Sequence, residues 1–302
     1  MKNSVAYIIP YIVTPIWSGS RLSSKYIRFR DHEKIGEAWE TSVSDGCHSY
    51  ICDNVTSISF ANHLAKNNIS SFPLIKIIDA ASPLSVQVHP DALTAEKYGG
   101  ISKNEIWYVV DAKPDSFIYY GTRTGITIDD IKNALSGDED LLPMLNKIYV
   151  KEGDVYMIPT GMIHSLGSGI TVLEVQNTAG TTYRMRDLAG NREIHIKEAL
   201  DSVRLYSIDE AMSYANIFPE KTCNTHILHD IIASTADYHI VKYTAKSDSV
   251  SLRTNTNCAY LFCEYGCGHI DELKFCKGDS LFITDPSLSI TIERDSSVII
   301  VS

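Results

Sequence analysis

The chain has 302 residues, 44% hydrophobic and 21% charged, a balance that fits an ordinary water-soluble globular protein of one or two domains. Its net charge of -10 argues against general binding to nucleic acid or anionic membranes, so an anionic substrate would need a locally basic pocket. No apolar run approaches the roughly eighteen residues of a membrane span, and Ser4–Val13 carries Pro10 with no basic leader before it. Seven cysteines without a C-x-x-C pair point to reduced thiols. A cytoplasmic protein is expected.

Taken in order, the N-terminal third holds PIWSGSRL (15–22), IGEAWETS (35–42) and a short helical pattern near Ser59–Asn67. FPLIKIIDA (72–80) is apolar on both sides of Lys76 and reads as a buried strand, where a lysine is costly unless its ammonium reaches a partner or a cleft. LSVQVHPD (84–91) alternates strictly, placing Ser85, Gln87 and His89 on one face. A polar triplet pointing inward demands partners. KNEIWYVVDA (103–112) follows, with Lys103 and Glu105 on a common face. Thr127–Lys147 looks mostly helical, capped by Thr127 with Asp129 and Asp130 in its first turn.

The stretch GDVYMIPTGMIH (153–164) pairs a strand with a tight Pro159-Thr160-Gly161 turn, delivering His164 at the start of the next strand. GITVLEVQ (169–176) is another strand carrying Glu174, and TTYRMRD (181–187) puts Arg184 and Arg186 on one face as a surface ladder or an anion clamp. Glu193–Tyr214 is the longest helical pattern. From Tyr238 onward the alternation is all β. There FCKGDSLFIT (275–284) echoes KEGDVYMIPT (151–160), without the histidine or any paired ligands. Cys258, Cys263, Cys267 and Cys276 crowd this region with His269, and are expected as buried thiols, not a second metal site.

Gln87, His89, Glu105 and His164 form a constellation of one amide, two imidazoles and one carboxylate, a borderline-hard set suited to Zn²⁺ with open positions left for substrate. One negative ligand leaves the ion net positive, a useful Lewis acid.

Residues 15–204 resemble, in order, the short bacterial-type members of the type I mannose-6-phosphate isomerases of the cupin superfamily. The resemblance is carried by PIWSGSRL, IGEAWETS, FPLIKIIDA, LSVQVHPD, NEIWYVVDAKP, Gly153–His164, LEVQ, TTYR and REIHIKEALD. It implies a mainly β protein of two cupin-like, jelly-roll barrels with a few helices packed on the first. Residues 1–220 would form the catalytic domain, and residues 221–302 a degenerate second barrel. It also implies interconversion of mannose 6-phosphate and fructose 6-phosphate through a cis-enediol, with one zinc per chain. The zinc ligands would be Gln87, His89, Glu105 and His164. Arg184 would be the essential arginine, Lys103 and Glu174 the proton-transfer residues, and Lys76 and Ser85 would face the substrate phosphate. The partner is a small phosphosugar, with neither nucleic acid nor membrane involved, and the protein a monomer or homodimer. Ala179 and Gly180 stand where such proteins commonly have Ser-Asp, and the interval from Arg184 to Glu193 is short. These departures keep open a catalytically silent or differently specific sugar-phosphate-binding protein, and two histidines with one glutamate would also suit the iron site of a metal-dependent cupin oxygenase.

Overall fold

The computed structural model describes residues 4–52, 57–137, 139–177, 180–216, 221–223, 225–254 and 256–302. It is mainly β, built from antiparallel sheets with short helices. A six-stranded sheet runs in the order Val155–Ile158, Glu105–Ala112, Ile170–Gln176, Leu74–Ala80, Glu37–Trp39, Tyr11–Val13. A five-stranded sheet runs Leu145–Tyr149, Phe117–Thr122, His164–Leu166, Val86–Val88, Tyr183–Arg186. Between them lies a core of Ile78, Trp107, Val109, Ile118, Tyr120, Tyr156, Ile158 and Val172.

The strands of the six-stranded sheet are apolar on both faces because both faces are covered. Ile75, Ile77, Ile106, Tyr108 and Leu173 on its other face meet Ile240, Phe262, Phe282 and Ile299 of a nine-stranded sheet. That sheet contains most strands after residue 220, and Val5–Ile9, Tyr50–Cys52 and Ser57–Ser59 extend it, Val5–Ile9 pairing with Ser280–Ile283. A four-stranded sheet closes the far side over Leu261, Ile270, Phe275 and Ile292. The all-β pattern expected after Tyr238 is realised: among the described residues every element there is a strand, including the hairpin of Cys267–Ile270 and Leu273–Cys276.

The helices are shorter than their sequence patterns. Ile128–Ser136 has the expected Thr127 cap, with a capping box to Asp130, but ends at Gly137 in the left-handed region. Residues 145–149 of the expected helix instead pair as a strand with Phe117–Thr122. Glu193–Tyr214 splits into Ile196–Ser202 and Ile208–Met212. Between them Arg204 N donates to Gly161 O at 2.9 Å and Thr122 N donates to Tyr206 O at 2.8 Å, so bonds to neighbouring elements displace the helix. The C-terminal thiols are also more open than expected: only Cys263 is buried, while Cys258 and Cys267 are half-buried and Cys276 is exposed.

The internal echo extends to hydrogen bonds. Gly153 and Gly278 have φ +87° and +90°, which only glycine adopts cheaply. Gly153 N donates to Val109 O and Val109 N to Asp154 O; Gly278 N donates to Cys263 O and Cys263 N to Asp279 O. Each aspartate side chain also accepts from the backbone N–H three residues earlier, Lys151 or Cys276.

Candidate metal centre and cavity

Neighbouring strands of two facing sheets bring the ligand candidates together. His164 opens its strand directly opposite Gln87, and His89 follows Val86–Val88 by one residue. Glu105 begins the strand Glu105–Ala112, paired with Ile158 on one side and Gln176 on the other. The turn before His164 is held from both ends: Met162 N donates to Pro159 O, and Gly161 N donates to His89 O at 2.8 Å. Gly161 has φ +84°, so the turn that aims His164 depends on glycine.

His89, Glu105 and His164 are fully buried, and their ligand atoms lie within 4.8 Å of one another. His89 Nδ1 is 3.1 Å from Thr181 O and His164 Nδ1 is 2.8 Å from Met162 O. A carbonyl can only accept, so each Nδ1 carries the proton and each Nε2 presents a lone pair. Those lone pairs face a carboxylate: His89 Nε2 lies 3.2 Å from Glu105 Oε1 and His164 Nε2 3.8 Å from Glu105 Oε2. Among the described residues, His89 Nε2 and Glu105 Oε2 have no hydrogen-bond partner. Acceptors converging on one buried point are mutually repulsive, and a cation between them resolves the conflict.

The protonation states agree. Burial, then neighbouring His89, pushes His164 down to about 3, and burial, then Lys103, also depresses His89. Burial alone would raise Glu105, but Lys103, His89 and His164 hold it well below the ordinary carboxylate range. Two neutral imidazoles and one carboxylate result, the donor set that fits Zn²⁺. Gln87 adjoins the three: its Nε2 is 3.2 Å from His164 Nε2, and its Oε1 accepts from Ser85 Oγ at 3.3 Å.

A cavity of about 440 Å³ reaches Gln87 and Glu105 and is also lined by Lys76, Ser85, Lys103, Glu174, Gln176 and Arg184. Lys103 Nζ donates to Glu105 Oε1 at 2.5 Å and to Gln176 Oε1 at 3.1 Å. Lys76 Nζ donates to Glu174 Oε1 at 2.9 Å and to the same Gln176 oxygen at 3.1 Å, while Trp107 Nε1 holds Glu174 Oε2 at 3.0 Å. Burial opposes the charge on Lys76, but Glu174, Glu37 and Glu105 outweigh it and raise its pKa. Four cationic side chains (Lys76, Lys103, Arg184, Arg192) thus line the cavity with three carboxylates (Glu37, Glu105, Glu174), an excess of positive charge in an acidic chain.

The two arginines on one strand part company. A register shift falls between Arg184 and Arg186; Arg184 lines the cavity, while Arg186 pairs with Asp140. Arg184 donates to Glu193 O at 2.5 Å, so the short segment after it is tied back to the guanidinium. Asp187 grips Arg192 through Nε at 3.2 Å and a terminal nitrogen at 2.7 Å, and Arg192 lies 4.4 Å from the Trp17 ring centroid. Gly180 leaves room for the Lys103 stem: a Cβ there would sit 2.3 Å from Lys103 Cδ. Ala179 lies outside the described residues.

All nine residues singled out in the sequence converge here. Missed were Trp17, Glu37, Gln176 and Arg192. Trp17 and Glu37 lie within the PIWSGSRL and IGEAWETS segments that carry the resemblance, and Gln176 ends LEVQ, so those segments were the available signal.

No family model matches the chain. The mannose-6-phosphate isomerase of Streptococcus mutans is 30% identical over 94% of this chain and 93% of its own length. The crystal structure of the mannose 6-phosphate isomerase from Bacillus subtilis has a TM-score of 0.84 at 21% identity, covering 99% of each chain. A mannose 6-phosphate isomerase bound with zinc and yttrium has a TM-score of 0.73 at 16% identity, covering 98% of this chain and 99% of that one. With the Streptococcus relative 30% identical over more than nine tenths of both chains, and a buried His-Glu-His cluster in place, the chain belongs to the type I mannose-6-phosphate isomerase family, in its short bacterial form.

Proposed function

We propose that this protein is a zinc-dependent aldose–ketose isomerase that interconverts mannose 6-phosphate and fructose 6-phosphate through a cis-enediol. The observation that carries the reading is the buried convergence of the His89 and His164 Nε2 lone pairs on Glu105, at the floor of a cavity with more cations than carboxylates. His89, Glu105 and His164 would hold one zinc per chain. Gln87 would join them through Oε1 once its amide is turned over, since oxygen and nitrogen of a side-chain amide are distinguished only by their partners. Bound there, the ion supplies a Lewis acid that polarises the sugar oxygens and stabilises the developing enediolate.

The remaining roles belong to the chain's own groups. Lys76 and Ser85 anchor the phosphate, using binding energy remote from C1 and C2 to hold the reacting carbons in place. Arg184, cationic and hydrogen-bonded to the Glu193 carbonyl, is available to stabilise negative charge on the sugar. Lys103 and Glu174 move the proton between C1 and C2. They flank Gln176, whose oxygen receives both Lys103 and Lys76, the lysine that is paired with Glu174.

For the fold, the six- and five-stranded sheets read as one cupin-like jelly-roll barrel, and the nine- and four-stranded sheets as a second. The division at residues 1–220 and 221–302 then leaves three early strands completing the second domain's sheet. A cytoplasmic monomer or homodimer acting on a small phosphosugar completes the reading. Among the described residues no helix is long and apolar enough to cross a membrane.

A coupled assay on mannose 6-phosphate, run with and without a chelator beside metal analysis of the purified chain, tests the proposal. Chelator-sensitive turnover with bound zinc is expected. Turnover that survives complete metal removal, or its absence in zinc-loaded protein, sinks it.

A further inference from the structure

Outside the cavity, the hairpin of Cys267–Ile270 and Leu273–Cys276 sets Cys267 directly opposite Cys276. Lys277 N donates to Gly266 O at 2.8 Å, while the two cysteine amides bond elsewhere: Cys267 N to Ser296 Oγ at 3.0 Å and Cys276 N to Asp279 Oδ2 at 2.8 Å. This is the pattern of a non-hydrogen-bonded antiparallel pair, in which opposed Cα atoms sit about 4.5 Å apart and side chains come closest. That spacing falls within the Cα range a disulfide spans. The sulfurs lie 3.1 Å apart, the Cys267 S–H donating to Cys276 Sγ. Cys276 is exposed and Cys267 half-buried, so an oxidant reaches the pair. The third thiol of this corner, Cys263, is buried and donates to the carbonyl oxygens of Tyr265 and Gly266 at 3.5 Å, which keeps it out of the exchange.

We propose that Cys267 and Cys276 form a reversible oxidation site that takes a hydroperoxide and closes to an intramolecular disulfide. Cys276, which accepts the hydrogen bond and faces solvent, is the attacking sulfur. Its thiolate attacks the distal oxygen of the peroxide: an S–O bond forms, the O–O bond breaks, and the proximal oxygen departs as alkoxide or hydroxide and takes up a proton. The sulfur is oxidised to sulfenic acid and the peroxide reduced to alcohol or water. Cys267 then attacks the sulfenic sulfur as its S–H proton leaves with the hydroxyl as water, forming the S–S bond. A dithiol reductant returns the two electrons and both protons. The strand register presents the resolving thiol in place, so closure needs no rearrangement of the hairpin.

The test uses the full chain treated with hydrogen peroxide, quenched by alkylation under denaturing conditions and mapped by mass spectrometry. Two of the seven thiols should be lost, in a Cys267–Cys276 crosslink two hydrogens lighter than the dithiol, and dithiothreitol should restore them. In Cys267→Ser, Cys276 should accumulate as a sulfenic acid captured by dimedone. In Cys276→Ser, peroxide-dependent loss of the Cys267 thiol should slow by at least about tenfold, as expected when the attacking sulfur is removed. Seven thiols still titrating after peroxide, a crosslink mapping to another pair, or an unchanged rate in Cys276→Ser would each overturn the assignment. The wild-type mapping decides the matter even if a variant folds poorly.

Discussion

Replacing Lys76 by methionine keeps the stem and deletes the ammonium. Glu174, only 4% exposed, would then keep Trp107 Nε1 at one oxygen and face the cavity with the other uncompensated. Removing one member of a buried ion pair costs about 3–5 kcal/mol. The Lys76 side chain retains 12% exposure and so some access to water, which places Lys76→Met near the lower end, at about 3 kcal/mol. Lys76→Met combined with Glu174→Leu removes both charges, and the pair of changes should cost about 1 kcal/mol, because apolar replacement of a whole buried pair is close to neutral. The two side chains touch, so the non-additivity is the direct measure of their coupling, about 2 kcal/mol or more. Equilibrium urea denaturation of the four proteins of the cycle, with the m-value held constant, reads it out. If Lys76→Met costs less than about 1 kcal/mol, or the double variant is simply additive, then Lys76 and Glu174 are not a desolvated pair and the cavity floor is wetter than its geometry indicates.

Further outcomes follow from the same geometry. Folding depresses His164 from its ordinary 6.5 to about 3, so below pH 6.5 the unfolded metal-free chain binds a proton that the folded one refuses. Stability should therefore be fully present above that pH and fall by about 1.4 kcal/mol per unit below it, down to the folded value. Denaturant titrations of chelated protein from pH 6.5 to about 5 should show at least this loss, and His164→Asn should make it shallower, leaving the share that His89 contributes. Arg184→Ala should lower kcat by about 100–1000-fold, the usual loss for one transition-state charge donor, with zinc content unchanged; a purely KM effect would reassign it to binding. Gly180→Ala would drive a Cβ into the Lys103 stem and should lower kcat at least tenfold, about 1.4 kcal/mol in the barrier, while zinc stays bound. Full activity in that variant would remove Lys103 from proton transfer.

The candidate metal cluster was legible because its candidate ligands sit at positions that strand periodicity fixes. Ser85, Gln87 and His89 alternate onto one face, and the Pro159–Gly161 turn determines where His164 emerges. What strand periodicity cannot convey is pairing between distant segments. Val5–Ile9 joins Ser280–Ile283, and nothing local in either stretch names the other. The same limit explains the broken helix after Ser202, where the helical pattern of Val203–Leu205 yields to bonds offered by Gly161 and Thr122. Gln176 escaped notice for a different reason. Its importance lies in one oxygen shared by Lys76 and Lys103, which come from two other segments, and no spacing rule links the three.

The repeated glycine-aspartate turn explains why, among the described residues, one half of the molecule holds a metal candidate and the other does not. The turn fixes the register of the strand after it against a central neighbour, Val155–Ile158 against Glu105–Ala112 and Ser280–Ile283 against Ala259–Tyr265. In the first pairing Ile158 lies opposite Glu105; in the second Ile283 lies opposite Ala259. The backbone position that supplies the carboxylate is therefore preserved, and its side chain is a methyl group buried among Leu261, Ile270 and Ile283. With no carboxylate there, a divalent ion would be left in an apolar core without compensating charge, at a cost that imidazoles alone would not offset. The second sheet pair is thus free to be filled with hydrocarbon, and its outer face packs against Ile75, Ile77 and Leu173, the backs of the strands that carry Lys76 and Glu174. Its contribution to the chemistry is mechanical: it buries the rear of the six-stranded sheet, so that the charged residues on the front are held by strands unable to shift.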